Sequence, residues 1–372
     1  LESLNFSRVF VGISSCLCLL LAACSSTGVS RNEPPSQPEL ASRPEAKNVI
    51  LFIGDGMGVS TVTAIRILDG QNKGMPGEEN VLPFERFPHV ALSKTYAINQ
   101  QVSESAGTAT AIMTGQKTNA GLIGIGSQAQ RKNCASSTEH HLPSALELAE
   151  SIGKSTGVVT TTRLTHATPA ATYAHVPERD WENDTDLTDE ARQNGCTDIA
   201  AQLIEFPHGD GIEVALGGGR IKFLPNNMVD PEGEDHEDAR QDNRDLTREW
   251  LHKYPNSAYI WNKKQFDSID PNTTDHLLGL FESDHMQYEA DRSDDKAGEP
   301  SLAEMTKLAI EILSRNPSGY FLLVEGGRID HGHHDNNAYR ALTDGIAFAD
   351  AVTAADEMTS QEDTLIIVTA DH

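Results

Sequence analysis

Several short apolar runs in this chain end directly on groups that bind cations, and this constrains the fold more than any other feature. Residues 48–53 lead into Gly54-Asp55-Gly56-Met57-Gly58. Residues 320–324 lead into Glu325 and then Asp330, His331, His333 and His334. Residues 364–369 lead into Ala370-Asp371-His372. In an open α/β sheet the carboxyl ends of the strands share one rim, and ligands bind there. Carboxylates and imidazoles gathered on that rim point to a centre of several metal ions, the equipment of a hydrolase. Further strand-like runs at 157–162 and 213–216 alternate with amphipathic patterns. Residues 143–152 put Leu146 and Ala149 on one face and stop at Gly153, and residues 302–315 open on a capping box of Ser301 and Glu304. Residues 336–358 form a long Ala-rich helix. The alternation predicts a three-layer α/β/α sandwich around a mostly parallel sheet. The acid-rich segment 230–245 is expected to be an exposed loop.

The formal charge of −26 over 372 residues argues against nucleic acid as a partner, because the phosphate backbone would be repelled. Small phosphate compounds remain compatible if bound cations reverse the field locally.

The N-terminus reads as a targeting segment. Arg8 precedes an apolar stretch that ends in Leu21-Ala22-Ala23-Cys24, the lipobox of a bacterial lipoprotein, with Cys24 as the lipidated residue. Residues 1–24 are then a signal peptide, and 25–46, rich in Ser, Pro and Glu, a disordered tether. This expectation places the protein outside the cytoplasm, lipid-anchored on the periplasmic side of the outer membrane or at the cell surface. Cys134 and Cys196 remain in an oxidising compartment, where a disulfide is the default and two free buried thiols are the alternative. A bridge would close a 62-residue span and stabilise the fold by roughly 4 kcal/mol on the chain-entropy model.

Each chemical motif has a bland reading beside the functional one. Asp55 among glycines is an ordinary turn or an unobstructed cation ligand. Ser105, before the small residues Ala106 to Ala111, is a helix N-cap or a nucleophile held at a helix N-terminus. Asp330 and His334, spaced i, i+4, are a solvated turn or chelate one ion, while Glu325 is far enough away to serve another. His166 and Thr168 follow the strand 157–162, and Arg179 offers a planar fork for two phosphate oxygens.

Taken in order, these motifs resemble the alkaline phosphatase family, and the match runs from Lys47 to His372. Residues 157–162, Leu216 to Gly219 and His331 make it more similar to the animal-type enzymes. The resemblance implies hydrolysis of phosphate monoesters through a phosphoserine on Ser105, with Arg179 holding phosphate oxygens. It implies two Zn2+ and one Mg2+. One zinc takes Asp330 and His334; the other takes Asp55, Asp371, His372 and the Ser105 oxygen. Magnesium takes Asp55, Thr168 and Glu325. It also implies that His166 and His331 tune the site, that Cys134 and Cys196 form a disulfide, and that the full-length protein is a homodimer. A structural Ca2+ site would map to Glu232, the Phe281 carbonyl, Glu282 and Glu299.

Two departures qualify the match. Glu104 stands where the family has Asp, and its extra methylene is expected to shift Arg179. The family's third protein ligand to the first zinc falls beyond position 372, which implies a chain incomplete at its C-terminus. The rival readings are another ester hydrolase on the same core, such as a sulfatase or phosphodiesterase, and a catalytically silent metal- or phosphate-binding lipoprotein.

Overall fold

The computed structural model of the chain describes residues 46–233 and 238–372. Cys24, the expected signal peptide and all but the last residue of the expected tether lie outside the described residues.

One sheet organises the molecule. Its strands are β1 (Asn48–Gly54), β2 (Ser155–Arg163), β3 (Val214–Gly218), β4 (Ser257–Ile260), β5 (His276–Leu280), β6 (Tyr320–Gly326) and β7 (Thr364–Ala370). They lie in the order β4-β5-β3-β2-β6-β1-β7, and every pairing is parallel. β4 and β5 were not anticipated. β4 is a half-buried edge strand, and Gly279 interrupts the apolar run of β5.

Side chains alternate between the two faces of a strand, so each inner strand feeds two cores. Leu51 and Ile53 of β1 join Val158, Ala215, Leu278 and Leu323 on one face. There they meet Ala106, Ala109 and Met113 of α2 (Ser105–Thr114) and Leu146 of α3 (Ala145–Ser151). Ile50 and Phe52 join Val159, Leu216, Leu322 and Val324 on the other face. That face carries Ile65 of α1 (Val59–Asn72), Met305 and Ile312 of the helix Leu302–Leu313, and Phe348 and Val352 of the helix Ala338–Met358. Phe52 meets Phe348 edge-on at 5.8 Å. Three layers result, as expected.

Capping sets the helix ends. α3 begins at Ala145, after Pro143, because the Ser144 hydroxyl accepts the Glu147 N–H at 3.1 Å while Glu147 Oε2 accepts the Ser144 N–H at 2.7 Å. The last long helix starts at Ala338 because Asn336 has φ +52°, outside the helical range, and Asn337 caps the first turn.

The segment 230–245 is the expected exposed loop at Pro231, Gly233, Asp238, Gln241, Asp242 and Asn243, and departs from it elsewhere. Asp230, Ala239 and Arg240 are buried. Arg220 donates to Asp230 at 2.7 and 2.9 Å, and Arg240 to Asp198 at 2.8 and 3.0 Å. Asp230 goes inside because Arg220 supplies its countercharge, whereas Asp238 and Asp242 stay exposed. Cys134 and Cys196 are joined in a disulfide, with Cα atoms 6.0 Å apart. Among the described residues no helix is long and apolar enough to cross a membrane.

The register places the site. Ile53 of β1 lies opposite Glu325 of β6, Gly54 opposite Ala370 of β7, and Thr160 of β2 opposite Glu325. Thus β2, β6, β1 and β7 end side by side.

Candidate metal centre

Asp55 sits on the turn that ends β1. Gly56 has φ +61°, and a Cβ there would come within 2.6 Å of Asp330 Oδ1, so this turn needs glycine both for its backbone and for the close approach. The turn leaves the Asp55 carboxylate fully buried, as are Glu325 at the end of β6 and Asp371 beyond β7. Asp371 is held by the N–H groups of Gly56 at 3.1 Å and His372 at 2.9 Å, and by the Thr108 hydroxyl at 3.4 Å. His372 Nε2 stands 3.1 Å from Asp55 Oδ1. Ser105, the first residue of α2, donates its hydroxyl towards both Asp55 oxygens, at 3.2 and 3.1 Å.

Two ligand sets share Asp55. In Asp55–Asp330–His372, and again in Asp55–His166–Glu325, one ligand atom from each residue lies within 4.8 Å of the other two. His334 Nε2 lies 3.2 Å from Asp330 Oδ2 across one helical turn, the geometry of the i, i+4 spacing. The memberships differ from those the resemblance implies: Asp330 stands with Asp55 and His372 as well as with His334, and His166 stands among ligands.

The donors fit cations on their own chemistry. Burial, and then Asp371, hold the Asp55 carboxyl well above the usual carboxylate range. Burial pushes Glu325 up to about 7, and the hydrogen bond to Asp55 pushes the His372 imidazole up to about 9. Thr168 lies beside Glu325. Thr168 Oγ1, Glu325 Oε1 and His166 Nδ1 are buried without hydrogen-bond geometry to any partner. Crowded acids and orphaned donor atoms within one pocket are what a site for positive ions leaves when described as protein alone.

A basic wall faces these acids. Arg179 donates to Glu104 Oε2 at 2.6 Å and lies 3.1 Å from His166 Nε2. Glu104 also caps α2, accepting from Ala106 at 3.0 Å and from Gly107 and Gly121 at 2.8 Å. Burial raises its carboxyl, but Arg179 and these N–H groups together hold it below the usual range. The longer side chain therefore still reaches Arg179.

Three members of the wall carry no role in the sequence reading. Arg163 pairs with Glu182 at 2.7 and 2.6 Å and lies 2.7 Å from His285 Nε2, and Arg328 lies 2.7 Å from His331 Nδ1. The rings of His166, His285 and His331 sit 4.3–5.4 Å apart. Burial, and then the neighbouring arginines, keep all three imidazoles neutral. Arg163 ends β2 and Arg328 lies just past the end of β6, so position at the strand ends was the available signal. His285 follows the unrecognised β5.

A second acidic group brings together Glu232, Glu282 and Asp295. Phe281 is buried just after β5. Glu299 stands alongside, one oxygen accepting the Gln287 N–H at 3.1 Å and the other buried without a partner. Burial, and then Glu282, push Glu299 up to about 9. Asp295 thus joins residues named from the resemblance.

The chain's kinship agrees with this geometry. The family model for alkaline phosphatase matches residues 46–372. The human tissue-nonspecific alkaline phosphatase is 50% identical over 333 residues, covering 88% of this chain and 63% of that protein. The Gadus morhua alkaline phosphatase is 48% identical, covering 88% of this chain and 69% of its own length. The Thermus thermophilus alkaline phosphatase structure superposes with a TM-score of 0.69 at 29% identity, covering 88% of this chain and 60% of that one. The enzyme of the Antarctic bacterium TAB5 gives 0.67 at 27% identity, covering 88% and 79%. The chain thus spans just under two thirds of the human relative's length. With its ordered motifs, parallel sheet and acid-lined rim, the chain belongs to the alkaline phosphatase family.

Proposed function

We propose that the protein hydrolyses phosphate monoesters of broad leaving-group type through a phosphoserine on Ser105. One observation carries this reading: the Ser105 hydroxyl starts α2 and faces Asp55, while the Arg179 fork is held in the same pocket by Glu104 and His166. Family membership supports it.

The chain's own groups divide the work. Ser105 Oγ attacks phosphorus as the ester oxygen departs with its electron pair to become the alcohol. The serine proton points at the Asp55 carboxylate. Arg179 binds non-bridging phosphate oxygens through a planar fork. The positive end of α2 favours the negative charge that accumulates at Ser105. Water then attacks the phosphoserine, Ser105 Oγ leaves, and inorganic phosphate is released. Two inversions give net retention at phosphorus.

The residues that would hold zinc are Asp330 and His334 for one ion, and Asp55, Asp371 and His372 for the other. Magnesium would be held by Asp55, Thr168 and Glu325, with His166 beside them. When bound, such cations neutralise the buried carboxylates, lower the pKa of a bound hydroxyl and stabilise a leaving oxygen. A histidine-to-aspartate variant of the TAB5 enzyme has magnesium bound in its M3 site, which supports magnesium here. Calcium at Glu232, Phe281, Glu282 and Glu299, with Asp295 added, belongs to the same proposal. So do a homodimer, and export with lipid attachment at Cys24, for which the support is the sequence of residues 1–24.

The test is turnover of an aryl phosphate with zinc and magnesium supplied, followed by acid quenching of labelled substrate. Wild type should retain label on serine. Ser105→Ala should lose both label and turnover, the latter by at least about 10³-fold. Equal turnover by Ser105→Ala, or inversion at a chiral phosphorus, would sink the covalent route.

A further inference from the structure

Arg328 opens the short helix Arg328–His334 and is half-buried. Its backbone is anchored to β2, where the Thr161 hydroxyl accepts the N–H groups of Gly327 at 3.1 Å and Arg328 at 3.2 Å. In a chain of net charge −26, a half-buried arginine is expected to pair with a carboxylate. Among the described residues no acid forms an ion pair with Arg328. Its guanidinium carbon lies 3.8 Å from the centre of the Tyr288 ring instead, and its Nε is buried without a partner. Tyr288 is itself fixed: the residue is buried, and its hydroxyl donates to Asp335 Oδ2 at 2.7 Å. Held against that ring, the guanidinium turns NH1 to an imidazole, 2.7 Å from His331 Nδ1.

This contact decides where the His331 hydrogen sits. A guanidinium donates and cannot accept, so Nδ1 accepts and carries no hydrogen. The ring is then neutral, with its single hydrogen on Nε2. Neither nitrogen is left to ligate a cation, although His331 directly follows Asp330 in the chain. One lone pair is taken by Arg328, and the other nitrogen is protonated. What the ring offers is an Nε2–H, and it stands 5.4 Å from the His166 ring, which Arg179 contacts at 3.1 Å.

We propose that Arg328 is a positioning residue for the phosphatase reaction: it locks His331 in the Nε2–H tautomer, which donates to an oxygen of bound phosphate. The purpose of the lock rests on the phosphatase reading; the lock itself does not. The competing account makes Arg328 a structural tie between Tyr288 and its helix, indifferent to the His331 hydrogen.

The test reads the tautomer directly, by ¹⁵N-histidine spectra of the full chain with zinc and magnesium supplied. Wild type should carry the His331 hydrogen on Nε2, with Nδ1 bare. Ser105→Ala should show the same pattern, so a failed phosphoserine test and a failed lock are told apart. In Arg328→Met the hydrogen should spread over both nitrogens. Inorganic phosphate is the second probe, followed by calorimetry. Arg328→Met should bind it about tenfold more weakly than wild type, with Arg328→Lys in between. A wild-type hydrogen on Nδ1 would overturn the proposal without any variant, so misfolding of Arg328→Met cannot shelter it. Either an unchanged tautomer or an unchanged phosphate affinity in a folded Arg328→Met would leave Arg328 as the structural tie.

Discussion

Two groups of buried acids in this molecule are managed in opposite ways. Asp198 and Asp230 are buried against Arg240 and Arg220, which are themselves fully buried and donate at 2.7–3.0 Å. Asp55, Glu325 and Asp371 are as deeply buried at the strand ends, yet among the described residues no lysine or arginine forms an ion pair with any of them. Arg179, the nearby candidate, is engaged by Glu104. The first group carries its countercharge in the chain and is structural. The second has a deficit of positive charge that external cations can fill, and Ser105, the proposed nucleophile, faces into it.

If that distinction is right, Arg240→Met should cost about 3–5 kcal/mol of stability, because Asp198 is left buried and unpaired. The loss should be equal in EDTA and in zinc and magnesium, by urea unfolding. A loss that metals abolish would erase the contrast between the two groups.

Glu150 and Glu213 form a third acid pair, which sharpens the contrast because neither arginines nor ligand geometry serve it. Burial pushes Glu150 up to about 9 and Glu213 up to about 7. The folded chain therefore holds protons that the unfolded chain releases near pH 4.5. The neutral carboxyls favour the fold below that pH, and their contribution is lost as pH rises, through about 7 for Glu213 and about 9 for Glu150. Glu150→Gln should flatten the decline in melting temperature between pH 5 and 9, by an amount on the order of 1–2 kcal/mol at the alkaline end. An unchanged slope would show that this pair is not what titrates.

Glu104→Ala gives the smallest stability effect, about 1 kcal/mol from the lost cap of α2. It also frees Arg179, so KM for an aryl phosphate should rise about tenfold, as expected for loss of a charge-assisted positioning contact. Glu104→Asp should restore most of it. A stability loss with no change in KM would make Glu104 a cap and nothing more.

Much of this was legible because the strands that matter announce themselves. β1, β6 and β7 are apolar runs that stop at Asp55, Glu325 and Asp371, and each stop is a local signal. β4 and β5 have no such punctuation. The burial of Asp230 could not be read from an acid-rich segment, because its partner Arg220 is a countercharge visible only after folding. The basic wall was obscure for the same reason. Arg163, His285 and Arg328 come from separate strand ends, and only the register of the sheet brings them together. Glu104 was expected to misplace Arg179, and in the fold its longer reach still closes the contact.

The most direct test of the central claim compares wild type with Asp55→Asn, unfolded in urea with EDTA and again with zinc and magnesium. Removing one charge from a crowd of buried acids should stabilise the metal-free protein and destabilise the metal-loaded one, so the two stability orders should cross. If Asp55→Asn were the less stable protein in both conditions, Asp55 would be a structural carboxylate, and the account of a rim built for cations would be wrong.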